Sequence, residues 1–219
     1  MDALFGWAGF AAALAAFFLS HSLPLRPANR ARAVALLGAR GFTSAYSALS
    51  LGALAWLIVA AGRAPYVLLW PRTPGLTHAT LALMLLACLL LGLSIGRPNP
   101  FSFGGPAEGF DPARPGIVRL VRHPVLAALA CWGTAHLLAN GDLAHVILFG
   151  LFTGFAALGG RFVDRRRKRL MGDAAWRKLW QQVQTAPLRL EPARLLAGLG
   201  LYGALIALHP LVIGVSPLP

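Results

Sequence analysis

The residues best suited to chemistry in this chain stand together at positions 119–124, reading RLVRHP: two cations and an imidazole directly before a proline that opens an apolar run. Proline suits the first position of a helix, where its missing N–H forfeits no hydrogen bond. His123 is then a flanking residue beside the positive end of a helix dipole, where imidazolium is disfavoured and the neutral ring is favoured. A neutral ring binds a metal or accepts a hydrogen bond. The same six residues also suit a plainer role, an arginine-rich boundary between membrane and water.

The elements that must position this cluster are membrane helices. With 57% apolar and 12% charged residues and a mean hydropathy of +0.65, the chain is too apolar for a soluble domain. The spacing predicts an all-α, polytopic membrane helix bundle of about six transmembrane helices. The spans fall near 3–20, 41–61, 77–96, 124–139, 143–160 and 195–215. Asp2 stands where a signal peptide would carry basic residues, so the first run reads as a retained span. Ala8, Ala12, Ala16 and Ser20 form a small-residue ridge on that span, and Gly150 and Gly154 have the spacing of a close contact on the fifth. Asp142 is placed to cap the fifth span. Between the fifth and sixth lie the run DRRRKR at 164–169 and then Trp176, Leu179, Trp180 and Val183 at helical spacing. That pattern describes a cytoplasmic interfacial amphipathic helix. The long connection at 101–122 contains GFDPARPG at 109–116, which reads as a shaped turn sequence.

A net charge of +13 in a soluble protein would suggest nucleic acid. Here the cations cluster between apolar runs, so the partner they imply is an anionic lipid bilayer and not nucleic acid. Eighteen of the twenty Lys and Arg fall in the first, third and fifth loops. The positive-inside rule then places those loops in the cytoplasm and both termini outside. It puts His21 and His123 at one cytoplasmic depth and His78, His136, His145 and His209 nearer the outer face. Cys88 and Cys131 both lie in apolar runs and carry no redox information.

Several longer motifs are more specific: SHSLPLRP at 20–27, GRAPY at 62–66, RPNPFSFGG at 97–105, GFDPARPGIVRLVRHP at 109–124 and AHLLANGD at 135–142. On these the chain resembles the NnrU family of bacterial inner-membrane proteins, named from denitrification gene clusters. The likeness covers about residues 10–190, which suggests an NnrU-like transmembrane domain at 1–190 and an additional C-terminal transmembrane helix at 191–219.

The family is related to 15-cis-zeta-carotene isomerase, a membrane enzyme that binds haem b through histidine. The resemblance implies His21 and His123 as axial ligands, the pair that the depth argument groups together. Arg122, Arg119 and Arg40 are the cations suited to the haem carboxylates, with Arg122 first. Ala127, Ala130, Cys131 and Thr134, stacked after His123 at helical spacing, are small enough to leave room for a macrocycle. His136 belongs to a family motif, but no chemistry follows for it. The implied activity is redox-dependent isomerisation of a lipid-soluble polyene, or a role linked to nitric oxide in denitrification.

Two other classes remain open. A histidine–proline pair before a membrane hairpin and a basic helix also resembles the isoprenylcysteine carboxyl methyltransferases, which use S-adenosylmethionine. Basic residues stand in DRRRKRLMGD where those enzymes carry acids, and this departure counts against methyl transfer. The third class is a non-enzymatic membrane subunit.

Overall fold

A computed structural model describes residues 2–103 and 107–219, with side chains from Leu4 onward, so Gly104 and Gly105 of the RPNPFSFGG motif lie outside the described residues. Seven α-helices follow in order: α1 (Asp2–Ser22), α2 (Pro27–Arg63), α3 (Pro74–Ser94), α4 (Pro124–Ala139), α5 (Leu143–Met171), α6 (Asp173–Thr185) and α7 (Pro192–Ile213). A short 3-10 helix (Gly116–Arg119) precedes α4. Among the described residues there is no strand, only an isolated bridge between Leu68 and Asp142. The all-α membrane bundle is thus the observed class. Among the described residues five helices, α1, α2, α3, α5 and α7, are long and apolar enough to cross a membrane. The expected fourth span, α4, has 16 residues, about 24 Å at 1.5 Å per residue, against a hydrocarbon core of about 30 Å.

The chain divides into two compact units, Met1–Leu69 with Asp142–Leu148, and Trp70–Gly141 with Phe149–Pro219. In the first, α1 packs on α2. The buried face of α1 carries Phe10 and Ala13, while Ala8 and Ala12 of the expected small-residue ridge are exposed. Close approach comes instead at Gly6, where a Cβ would lie 2.9 Å from Pro65 and 3.0 Å from the Arg63 carbonyl. The first basic loop is shorter than its arginines suggest. Pro27 starts α2 at once, so Arg30 and Arg32 ride on a helical arm that Gly38 (φ 72°) separates from the apolar stretch. That backbone conformation is one only glycine adopts readily.

In the second unit α3 packs on α4 and α7. Thr73 starts α3 by accepting a hydrogen bond from the Leu76 N–H, with Pro74 in the first turn. Ala87, Leu90 and Leu93 of α3 form a core with Ile117 and Ala128. The crossing of α3 and α7 is made by two glycines. A Cβ on Gly92 would lie 2.6 Å from the Arg194 carbonyl, and one on Gly198 would lie 2.9 Å from the Cys88 carbonyl.

The 109–116 segment is shaped as its sequence suggests. Asp111 accepts from the Ala113 N–H through Oδ1 and from the Arg114 N–H through its carbonyl. Arg97 runs beneath Gly116 (φ 57°), donates to the Arg114 carbonyl at 2.7 Å and pairs with Glu191 at the start of α7. DRRRKR is not a loop but the continuation of α5, which ends only where Gly172 (φ 86°) breaks the chain into α6. The apolar face of α6 is covered by protein: Trp176 and Val183 are buried with Phe101 and Val118, and Leu179 and Trp180 pack against that cluster.

Candidate functional site

Val118, buried in the 3-10 helix, anchors the approach to α4, and Asn99 holds the next turn by donating to the Arg122 carbonyl at 3.0 Å. His123 is the N-cap residue of α4, with φ −118° and ψ 66°. Its carbonyl accepts from the Ala127 N–H at 3.0 Å, its side chain makes no capping bond, and the buried Pro124 occupies the first turn. The imidazole is thereby released from helix duty and turned toward α5.

There it meets Asp164. His123 Nε2 lies 3.0 Å from Asp164 Oδ1, and Arg122 Nη2 donates to Asp164 Oδ2 at 2.6 Å. One carboxylate therefore holds two consecutive residues of the α4 approach. Gly160, one turn earlier on α5, forms the seat of the ring, since a Cβ there would lie 2.9 Å from His123 Cδ2. The Arg122 guanidinium also stacks on two indoles of α6, 5.0 Å from the Trp176 ring centre and 4.7 Å from that of Trp180. Lys168 adds a second cation 4.4 Å from the Trp176 ring. Such contacts are worth about 0.5–2 kcal/mol each, more when desolvated.

Burial pushes the His123 imidazole below its ordinary range, and the Arg122 charge adds to this; Asp164 pulls the other way but less strongly. His123 Nδ1 and Arg122 Nε are buried without a hydrogen-bond partner.

Beside the ring a cleft of about 480 Å³ runs between α4 and α5, walled by Leu126, Ala127, Ala130, Ala156, Ala157 and Gly160, with Trp180 at its rim. Its width comes from small side chains and from close helix approach. A Cβ on Gly133 would lie 2.5 Å from Thr153 Oγ1, and one on Gly159 would lie 3.2 Å from Leu126. The expected contact glycines behave differently: Gly154 has open space around it, and Gly150 only grazes Leu137.

The family model described as NnrU protein matches residues 9–217. The chain belongs to the NnrU family. The match takes in α7 as well as the motifs that stop before it. No curated protein and no solved structure matches the chain significantly.

Of the residues singled out in this NnrU chain, Arg122 and His123 meet at one site, and Arg119 ends the 3-10 helix just before them, its carbonyl accepting from Gln184 at 3.1 Å. His21 and Arg40 belong to the first unit, in the last turn of α1 and just after the Gly38 break in α2. His21 Nδ1 donates to the Phe17 carbonyl at 2.7 Å, which leaves the lone pair on Nε2. Its ring packs on Phe17 at 4.2 Å and edge-on to Tyr46 at 6.2 Å. His136 is a packed histidine, donating to the Trp132 carbonyl at 2.9 Å between the rings of Trp132 and Phe149. Asp142 caps α5, accepting from the His145 N–H at 3.3 Å. Among the described residues no three His, Cys, Asp or Glu side chains gather as a metal site.

Asp164, Gly160 and Trp180 went unnoticed as site residues in the sequence. The available signal was the spacing of Gly160 and Asp164, four apart and so on one face of a helix, with Asp164 the lone acid in a cationic run.

Proposed function

We propose that this protein is a haem b-binding protein of the bacterial inner membrane, with both termini periplasmic, acting as a redox-dependent isomerase of a lipid-soluble polyene or in nitric oxide handling. The observation that carries this reading is the pairing of a mostly buried imidazole with an apolar cleft of about 480 Å³ walled by alanine and glycine. The small apolar walls suit the face of a flat macrocycle, and His123 is the residue that would hold it. His21, whose Nε2 carries a lone pair at the end of α1, is the proposed second ligand.

Arg122, Arg119 and Arg40 are the cations proposed for the haem carboxylates, and Arg122 is also paired with Asp164. Haem would supply a redox-active iron. The chain supplies the rest: Gly160 admits the ring, Asp164 and Asn99 fix the approach to α4, and the alanine walls present an apolar face to a substrate. The inward placement of the basic segments rests on the bias of eighteen cations in twenty.

The test is the absorption spectrum of the protein purified in detergent from cells supplied with haem. An intense violet band with sharpened visible bands on reduction is expected, and reduced but not oxidised protein should take up nitric oxide or isomerise a cis-polyene. A colourless protein would remove this reading.

A further inference from the structure

We infer that Asp164 is a latch for His123: it holds the imidazole by Nε2, and this bond must open before His123 can present the Nε2 lone pair to iron. The inference rests on the haem reading and concerns the regulation of that site.

A carboxylate oxygen only accepts, so at 3.0 Å from Asp164 Oδ1 the His123 Nε2 carries a hydrogen and has no lone pair to give. Nδ1 is sealed from solvent and has no partner. Neither nitrogen therefore offers a lone pair to the cleft, although the ring lines it. The observed arrangement is a closed one.

The latch is built to survive its own opening. Asp164 keeps Arg122 on Oδ2 at 2.6 Å when Oδ1 lets the ring go, and Arg122 is held in turn by Trp176 and Trp180. No buried charge is left alone, which is the outcome that makes breaking a buried pair costly. The proton balance also closes. As the ring turns out of its Gly160 seat, Nε2 gives up its proton to solvent, and Nδ1, no longer sealed, is free to take one up. Nε2 gains the lone pair, and nothing is oxidised or reduced. Closing reverses both movements.

The alternative arrangement is the common one in which a carboxylate strengthens a ligating histidine through its other nitrogen. The two differ in sign. A supporting carboxylate makes ligation tighter, whereas a latch competes with it.

The experiment uses the full chain in detergent, stripped of haem, with Asp164→Asn and Gly160→Ala as variants. The second displaces the ring from its seat without touching the charge pair, so it answers even where the first folds poorly. Carbethoxylation of His123 by diethyl pyrocarbonate, followed by mass spectrometry, reads the latch in haem-free protein; titration with haem reads its effect on ligation. Both variants should be modified faster and bind haem more tightly, each by about tenfold, the size of one charge-assisted hydrogen bond. Equal modification rates, or haem binding unchanged or weakened in both variants, overturn the latch alone. A wild-type protein that takes up no haem overturns the haem reading and the latch with it.

Discussion

Asp164 of α5 and Arg122, the residue two before α4, lie 2.6 Å apart although 42 positions separate them in the chain. The pair is mostly buried, at 18% and 27% side-chain exposure. It locks α5, the α4 approach and, through the indole stack on α6, three elements into one site.

Truncating Arg122 should therefore damage more than a charge. Arg122→Ala leaves Asp164 without its cation and uncovers Trp176 and Trp180, and a loss of about 2–4 kcal/mol is expected from the broken pair and the lost stacking. Arg122→Lys should recover only part of this, because an ammonium neither stacks as a plane nor spans both partners. Denaturant or thermal unfolding in detergent reads both, and full recovery by lysine would show that charge alone matters.

At the α3–α7 crossing, Gly198→Ala should destabilise by about 1–3 kcal/mol, because the new methyl meets the Cys88 carbonyl and Leu89 Cα at 2.9 Å and backbone must move. Gly200→Ala, two residues on and with open space, is the control and should be neutral or slightly stabilising. Equal effects of the two would mean that α7 does not cross α3 at this glycine.

Glu191 gives α7 a pH dependence. Its hydrogen bond from Arg97 is the main influence holding the carboxyl below its usual range, with burial opposing and Arg194 assisting. A carboxyl lowered in the folded state contributes stability that is complete above its unfolded value, about 4.3, and is lost as pH falls through the lower folded value. The unfolding midpoint should thus drop more steeply below about pH 4 in the native protein than in Glu191→Gln. Parallel curves would contradict the Arg97 contact.

Orientation is tested by labelling single cysteines in a chain lacking Cys88 and Cys131. Lys178→Cys should react only once the inner face is exposed, and Val215→Cys in intact cells. The reverse pattern would overturn the inward placement of the basic segments.

How much of this was legible in the sequence depended on the range of the interaction. The start of α4 could be read because it is local: His123 with Pro124 is a start signal in adjacent residues. The start of α3, expected at 77 from hydropathy, lies at Pro74, where Thr73 caps the helix ahead of the apolar run. The end of α5 was not legible, since hydropathy stops at Gly160 while the helix, which arginines favour as readily as apolar residues, continues to Met171. The expected six spans became five full-length helices and a short α4 for the same reason: an apolar run shows where a helix lies more surely than whether it spans. Contact glycines were misjudged because Gly150 and Gly154 share only a spacing, whereas Gly133, Gly159 and Gly160 are set by what they meet across α4 and α5, namely Thr153, Leu126 and His123. Asp164 was hidden most completely. In sequence it is one acid before five cations, and only the packing of α5 brings it to His123 rather than to the residues beside it.

The central claim is that His123 and His21 hold a haem, and visible spectra of the purified protein and three variants test it most directly. His123→Ala and His21→Ala should each convert a six-coordinate low-spin spectrum to a five-coordinate one or abolish haem binding, while His145→Ala, whose ring pairs with Asp142 at 2.8 Å, should leave it unchanged. A spectrum unaltered in both of the first two variants, or no haem in any of the four proteins, would contradict the account.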